Sequence, residues 1–280
     1  MRTLVISGGT DGIGRALALA SVRRGDTVAV IGRSEDRGRA FLRAAAGASG
    51  RAHFVRADLS LLSENERVVE EVTARFPVVD ALVLCARHYR SARAVTAEGF
   101  EANYALFYLS RFLLGHGLVG PLEKAGAPVV VNVAGPGAGL SALRWDDLGL
   151  ERGYHGAVAL AQGGPLNDLL GVAFAAEHGT GPIRYVLVHP GTTATGFSGE
   201  YDAETAALIA RMRRSGKPVA EAVAPIAAVI DAPPREPLSA FVEGVRIPVD
   251  GASFDRAAAA RLQDLTRRQL RLRASGGHGA

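Results

Sequence analysis

Short apolar runs alternate with amphipathic helical patterns along almost the whole chain. The apolar runs are rich in Val, Ile and Leu and are bounded by turn residues, which predicts β-strands. The predicted strands cover residues 3–7, 27–31, 52–56, 81–84, 128–133 and 183–188. The predicted helices lie near residues 13–24, 35–46, 63–75, 98–116 and 165–177. This alternation predicts a parallel sheet with helices on both faces, because right-handed crossovers require that arrangement.

The fold class that follows is α/β, a Rossmann-type doubly wound parallel sheet of about seven strands in a single domain. A weaker apolar segment at residues 245–249 is expected to close one edge of the sheet. No repeat or linker divides residues 1–274. Residues 192–218 form a long irregular or helical excursion that we interpret as a lid over a substrate site. The small, polar residues 275–280 are expected to be a disordered tail.

A glycine-rich turn joins the first predicted strand to the first helix. Gly8, Gly12 and Gly14 allow a tight turn and a close approach of the backbone to a pyrophosphate, which rests on the positive end of the helix. The turn follows a strand, opens a helix and is completed by a second strand, which is the context that makes such a motif informative. It predicts a dinucleotide site, with Thr10, Asp11 and Ile13 beside the glycines.

The end of the second strand predicts which dinucleotide is bound. The residues between the end of this strand and Glu35 include no acid, whereas an NAD site usually places an acid here for the ribose hydroxyls. Arg33 and Ser34, with Arg15 on the first helix, are placed to hold a 2′-phosphate, so NADP(H) is favoured over NAD(H). The alternative is that Arg33 is an ordinary surface arginine. Asp58 and Leu59, after the third strand, are expected near the adenine.

Composition narrows the class of protein. The chain of 280 residues is 48% hydrophobic and 21% charged, as expected of a soluble globular protein. The net charge of +4 comes from scattered residues, so we expect no nucleic acid partner. No apolar stretch approaches the length of a membrane span, and the first residues lack signal-peptide features. The lone cysteine suits a reducing cytoplasm, and the arginine bias suggests a GC-rich, bacterial genome.

The chain resembles the short-chain dehydrogenase/reductase superfamily over nearly its full length. The resemblance rests on the glycine spacing, on ADLS at 57–60, GFEANYALFYLSRFLL at 99–114, VNVAG at 131–135 and VLVHPGTTAT at 186–195. The segment from Trp145 to Leu170 looks most like the retinol-dehydrogenase-type branch. The resemblance implies a small-molecule substrate and a homodimer or homotetramer. It also implies cofactor contacts at Cys85, Ala86, Pro190, Gly191 and Thr195.

The sequence departs from this family at its catalytic residues. The resemblance places Gly135 where the family has serine, Leu160 where it has tyrosine, and Gly164 where it has lysine, so that only Asn103 of the catalytic tetrad remains. No lysine lies between Lys124 and Lys217, and therefore no Tyr-x-x-x-Lys pair can exist in this helix. In the family the tyrosine transfers a proton while hydride moves, and the lysine lowers the pKa of that tyrosine. We expect Pro165 to open the helix as part of its first turn.

Replacement groups are sought in the loops around the expected cleft. Tyr154 is a candidate acid because Arg152 could lower its pKa, although loop packing of the ring is the simpler interpretation. His88 and Tyr89, together with His155, Gly135 and Leu160, are expected to line a substrate pocket. The histidines show no metal-ligand pattern, and we expect no metal.

Three functions remain compatible with the sequence. The first is an NADP(H)-dependent enzyme with a substitute proton donor or with solvent as the donor. The second is a non-redox catalyst, such as a cyclase, isomerase or dehydratase, in the same cleft. The third is an inactive cofactor sensor or binding partner of another protein. The enzyme is favoured slightly, because the cleft loops remain polar and aromatic.

Overall fold

The computed structural model describes residues 1–276 and contains, within them, ten strands and ten helices. The strands are β1 (Thr3–Ser7), β2 (Thr27–Gly32), β3 (Arg51–Arg56), β4 (Ala81–Leu84), β5 (Tyr89–Arg90), β6 (Val129–Val133), β7 (Arg184–His189), β8 (Gly199–Glu200), β9 (Leu238–Val242) and β10 (Val245–Ile247). The helices are α1 (Gly12–Arg23), α2 (Glu35–Ala45), α3 (Leu62–Arg75), α4 (Ala102–Tyr104), α5 (Ser110–Gly117), α6 (Val119–Leu122), α7 (Gly156–His178), α8 (Ala203–Ser215), α9 (Val219–Asp231) and α10 (Arg256–Gly276).

Eight strands form one sheet in the order β10-β9-β7-β6-β4-β1-β2-β3. All neighbours are parallel except β10, which runs antiparallel to β9 at the edge. The chain builds outward from β1 through β2 to β3, then crosses to β4 and builds the other half, so the order reverses between β1 and β4. Ligands of open α/β sheets bind outside the carboxyl ends of the strands at such a reversal. The predicted doubly wound fold is confirmed, with eight strands rather than about seven.

Helices cover both faces of the sheet, each over its own apolar cluster. One face carries α1, α2 and α9, with Leu17, Phe41 and Ile226 buried against the strands. The other face carries α3, α5, α7 and α10. The Oη atom of Tyr108 lies 2.7 Å from Oγ1 of Thr266, which links α10 to the turn before α5. That turn, Ala105–Leu109, is π-helical, and the Ser110 amide donates to the Ala105 carbonyl oxygen five residues back.

The sheet edge differs from the prediction in its strands. The predicted strand at 245–249 ends at Ile247, and it pairs with β9, which the apolar pattern did not identify. Glu243 and Gly244 both have positive φ angles, of 50° and 84°, in the two-residue turn between the strands. Such a turn matches the right-handed twist of an antiparallel pair, and it explains why the chain reverses here.

The predicted start of α7 at Pro165 is wrong. The helix begins at Gly156, where the His155 side chain accepts from the Ala157 amide at 3.3 Å, and Pro165 lies well inside it. Proline lacks the amide hydrogen that would bond to the carbonyl of residue 161, but the long flanking segments keep the helix continuous.

The excursion at 192–218 is partly regular, since it contains β8 and α8. Of the tail that was expected to be disordered, residues 275 and 276 belong to α10, and residues 277–280 lie outside the described residues. Among the helices described, none is both long enough and apolar enough to cross a bilayer.

We expect Leu262→Ala to destabilise the fold by about 2 to 5 kcal/mol, as large-to-small changes in a core do. Leu262 is 1% exposed and belongs to the core cluster on the face where α10 packs against α7. Urea unfolding measures the effect, with Asp264→Ala as the matched control, because Asp264 is exposed on the same helix. Equal midpoints for the two variants would mean that α10 contributes no core.

Candidate functional site

A cavity of about 990 Å³ lies at the carboxyl ends of β1, β2, β4, β6 and β7. The cavity is lined by the turn after β1, the residues after β2 and β4, the start of the loop after β6, the middle of α7 and the loop after β7. This is the position that the reversal of strand order predicts for a ligand.

The glycine turn has the geometry of a backbone cradle. Gly8 and Gly12 have positive φ angles of 69° and 51°, which favour glycine. A Cβ atom on Gly8 would lie 2.7 Å from Cα of Ala86, and one on Gly14 would lie 2.5 Å from the Gly8 carbonyl oxygen. Side chains at these positions would therefore displace backbone. The Asp11 carboxylate caps α1 by accepting from the Gly12 amide at 2.8 Å.

Most of the predicted cofactor residues line this cavity. They are Gly8, Thr10, Asp11, Gly12, Ile13, Gly14, Arg33, Ser34, Leu59, Cys85, Ala86, Pro190, Gly191 and Thr195. The loop after β7 covers the glycine turn, because a Cβ on Gly12 would lie 3.3 Å from Cγ2 of Thr195. Burial raises the pKa of the Cys85 thiol to about 12, so it stays protonated and unreactive at neutral pH.

Cationic groups surround the part of the cavity next to β2. Arg33 lies 3.8 Å from the Asp58 carboxylate. Arg33 lines both the main cavity and a smaller depression beside it, whereas Asp58 lines only the depression. The Ser34 hydroxyl accepts from the Arg37 amide at 3.3 Å and caps α2. Arg37, which the sequence analysis missed, lines the cavity and pairs with Asp11 at 2.8 Å. Its position three residues after the capping Ser34, in the first turn of α2, is the signal that could have identified it.

Glycine backbone and an apolar side chain form the opposite part of the cavity. Gly135, Leu160 and Gly164 all line it, and no tyrosine or lysine does among the residues described. A Cβ on Gly164 would lie 2.9 Å from the Gly135 carbonyl oxygen, so α7 and the loop after β6 are too close to admit a side chain there. Around Gly135 there is room, since the nearest atom to an added Cβ is Cδ2 of His189 at 4.0 Å.

Asn103 and Tyr154, the two predicted catalytic residues, lie outside the cavity lining. The Asn103 amide is 1% exposed, accepts from the Arg90 amide at 2.9 Å and donates to the Tyr154 Oη at 2.9 Å. Burial, followed by the charge of Glu101, raises the pKa of Tyr154. The expected activation by Arg152 is wrong, because Arg152 lies on Asp147 at 3.6 Å. These contacts make the pair a brace for the loop before α7.

The predicted substrate residues divide between the cavity and the scaffold. His88 lines the cavity, where its Nδ1 lies 2.7 Å from the Ser198 hydroxyl and burial lowers its pKa. Tyr89 is 3% exposed and packs 6.0 Å from the Tyr201 ring, and His155 caps α7. Neither Tyr89 nor His155 lines the cavity.

A buried arginine network beneath the cavity was not predicted. Arg111 lines the cavity and is 6% exposed. Its Nη1 donates to Oδ1 of Asn132 and, at 3.0 Å, to the Val133 carbonyl oxygen. Asn132 in turn donates to Oδ1 of Asn167 and to the Tyr185 Oη, both at 2.8 Å. The network joins α5, β6, β7 and α7, which are distant in sequence, so no local pattern could have identified it.

The Asp168 carboxylate holds the loop after β6 through a hydrogen bond. Asp168 is fully buried on α7, its Oδ2 accepts from the Gly137 amide at 2.8 Å, and its Oδ1 has no partner among the described residues. Burial raises the pKa of this carboxyl to about 7.

One group of possible metal ligands exists in the described chain, away from the cavity. It comprises His116, Glu177 and His178, whose ligand atoms lie within 4.8 Å of one another. The Glu177 carboxylate is already bound by Arg267 and Gln263, each at 2.7 Å. The sequence shows no metal-ligand spacing here, because α5 supplies one histidine and the end of α7 supplies the other two groups.

Comparisons with known proteins agree with the fold. The family model described as short chain dehydrogenase matches residues 2–143. A Streptomyces protein named "Putative daunorubicin C-13 ketoreductase DnrU" is 37% identical over 114 residues, which cover 40% of this chain and 40% of that protein. Human "Dehydrogenase/reductase SDR family member 12" is 30% identical over 199 residues, 69% of this chain and 61% of that protein. The chain thus spans between two fifths and three fifths of these relatives.

Solved structures share the architecture. A protein from Mycobacterium paratuberculosis superposes with a TM-score of 0.70 at 24% identity, over 96% of this chain and 92% of that one. A short-chain dehydrogenase from Sphingobium yanoikuyae, solved in complex with NADPH, superposes with a TM-score of 0.64 at 20% identity, over 96% and 94% of the two chains.

Gly164→Ala should destabilise the protein relative to Gly163→Ala. Alanine gains about 1 kcal/mol over glycine in a helix interior. At position 163 an added Cβ meets only Phe107 Cδ2 at 3.9 Å, whereas at position 164 it meets the Gly135 carbonyl oxygen at 2.9 Å. Overpacking of that kind costs about 1 to 3 kcal/mol. Urea unfolding of both variants measures the difference, and equal stabilities would contradict the close approach.

Asp168→Asn should stabilise the fold increasingly as the pH rises from about 4 to 7. The folded pKa of about 7 lies above the ordinary value of 3.8, so the folded state holds a proton that the unfolded state releases in this range. Folding stability is therefore lost with rising pH, by up to about 1.4 kcal/mol per pH unit. Urea unfolding at a series of pH values gives the stability difference between variant and wild type, in which other titrating groups cancel. A difference independent of pH would refute the burial of a protonated carboxyl.

Proposed function

Because the chain belongs to the short chain dehydrogenase family, we propose that it binds NADP(H) in this cavity and acts as an oxidoreductase on a small molecule without a tyrosine–lysine pair. The observation that carries the proposal is a glycine cradle and a cationic rim on one continuous cavity. The cradle fits a diphosphate, because Gly8 and Gly14 leave no space for a Cβ atom beside the backbone.

The preference for NADP(H) rests on the residues that follow β2. Arg33 and Arg37 line the cavity here, and no carboxylate occupies the place where an acid would hold the ribose hydroxyls of NAD. Arg33 would bind the 2′-phosphate, and Ser34 could donate its hydroxyl to the same group. A guanidinium suits phosphate because it offers parallel N–H donors. The bound nicotinamide would supply or accept the hydride.

Few side chains in the described cavity lining can exchange a proton with the substrate. His189 lines the cavity next to Gly135, and burial lowers its pKa, so the imidazole is neutral at pH 7 and able to accept a proton. For a reduction, which needs a proton donor, solvent entering the open cleft would supply the proton. A non-redox catalyst or an inactive cofactor-binding protein is the second candidate, favoured by the lack of tyrosine and lysine in the described lining.

Arg33→Ala should weaken NADPH binding by about 10- to 100-fold, the loss of one charge-assisted hydrogen bond, and leave NADH binding nearly unchanged. Titration of NADPH and NADH by calorimetry, with melting temperatures as a second readout, measures the effect. Arg43→Ala is the matched control, since Arg43 is exposed on α2 away from the cavity. If neither dinucleotide binds the wild type, the proposed function fails; if NADH binds more tightly, only the NADP(H) preference does.

A further inference from the structure

Two arginines face the inner part of the cavity without a carboxylate partner. Arg87 lies in the cavity with more than a third of its surface accessible. Its Cζ is 6.0 Å from the ring centroid of Phe107 and 5.8 Å from that of Phe197. These ring faces are the recorded contacts of its guanidinium within the described chain, and no acid is among the groups that influence its pKa.

Arg111 is the second cation, and its partners are all neutral. Its hydrogen bonds within residues 1–276 go from Nη1 to amide and carbonyl oxygens, while the buried Nε has no partner there. Burial, with a smaller contribution from the charge of Arg87, lowers the pKa of the guanidinium to about 10. Arg111 therefore stays charged at neutral pH, and it lines the same cavity as Arg87.

The cavity offers these cations no compensating charge. Asp11 is the one carboxylate in the described lining, and it already pairs with Arg37 at 2.8 Å. Burying a cation without an anion is costly, and a buried donor without a partner needs an explanation. An anionic ligand in the cavity would supply the counter-charge that Arg111 lacks. Phe107 lies four residues before Arg111 and beside Arg87, so an aromatic surface borders the unpaired charges.

We propose that Arg87 and Arg111 bind the carboxylate of the substrate, with its apolar body against Phe107 and Leu160. The inference deepens the proposed function and rests on it, because it assigns a substrate class to the same cavity. A carboxylate accepts two parallel N–H donors from one guanidinium, and the Phe107 ring beside Arg87 suits an aromatic body on the acid. The diphosphate of the cofactor has its own donors in the glycine turn and the start of α1.

Benzoate and its neutral isostere benzamide are the probes. Ligand-observed NMR titrations give the Kd of each, with and without saturating NADPH. We expect benzoate to bind at least about tenfold more tightly than benzamide, and to do so in both conditions, since a charge-assisted pair has about that value. Equal affinities for the two probes would overturn the proposal.

Arg87→Met should weaken the preference for benzoate, because only one of the two guanidinium groups remains, while leaving benzamide binding unchanged. Methionine keeps the length of the apolar stem, and the exposure of Arg87 within the cavity makes this variant tolerable to the fold. Arg23→Met is the matched control, because Arg23 is exposed at the far end of α1. Arg111→Lys, checked by circular dichroism, should weaken benzoate by retaining the charge but losing the planar donors. An unchanged benzoate Kd in Arg87→Met contradicts the proposal.

Competition between benzoate and NADPH distinguishes two anions that the arginines could bind, the carboxylate of a substrate and the phosphates of the cofactor. If NADPH abolishes benzoate binding and Arg87→Met weakens NADPH instead, the arginines hold the cofactor, and the substrate assignment is overturned. If benzoate binds in the expected pattern but no dinucleotide binds, the carboxylate site stands and the proposed oxidoreductase function fails.

Discussion

The carbonyl oxygen of Gly135 occupies the space where a side chain on residue 164 would begin. This contact between α7 and the loop after β6 decides the chemistry of the whole inner cavity. No side chain can project from position 164 while the two backbones are this close, and the cation at this part of the cavity comes from α5, as Arg111. The sheet holds both segments in place, because the loop follows directly from β6 and α7 packs against β7 and β9.

The fold holds the Arg111 cation beside the cavity through residues of several elements. Asn132 from β6 and Asn167 from α7 bind each other and the guanidinium, so the cation is held between the sheet and the helix rather than carried by the helix. Such a network restricts the positions of its members more than an apolar core would, because each displacement leaves a buried polar atom unpaired. The inner cavity is therefore polar and rigid at its base, and aromatic along its side at Phe107.

Local patterns in the sequence predicted what local forces determine. The apolar runs located six of the parallel strands but not β9, and the glycine turn located the cradle, because burial and a positive φ angle leave a signature in a few consecutive residues. The start of α7 was wrong because Gly163, Gly164 and Pro165 resemble a helix boundary, although the flanking turns continue through them. Arg87 and Arg111 act through distant elements, which periodicity does not detect. The expected homodimer or homotetramer stays a prediction.

The π-helical turn before α5 contains one residue more than a regular helical turn would. One residue corresponds to about 100° of rotation about a helix axis. Every side chain from Ser110 onward therefore points in a direction set by that extra residue, and with it the guanidinium at position 111. Insertions of this kind are frequent at functional sites. Removing a single residue from 105–109 would keep the composition of the helix almost intact, yet turn its cation away from the cavity and bring a different side chain into its place.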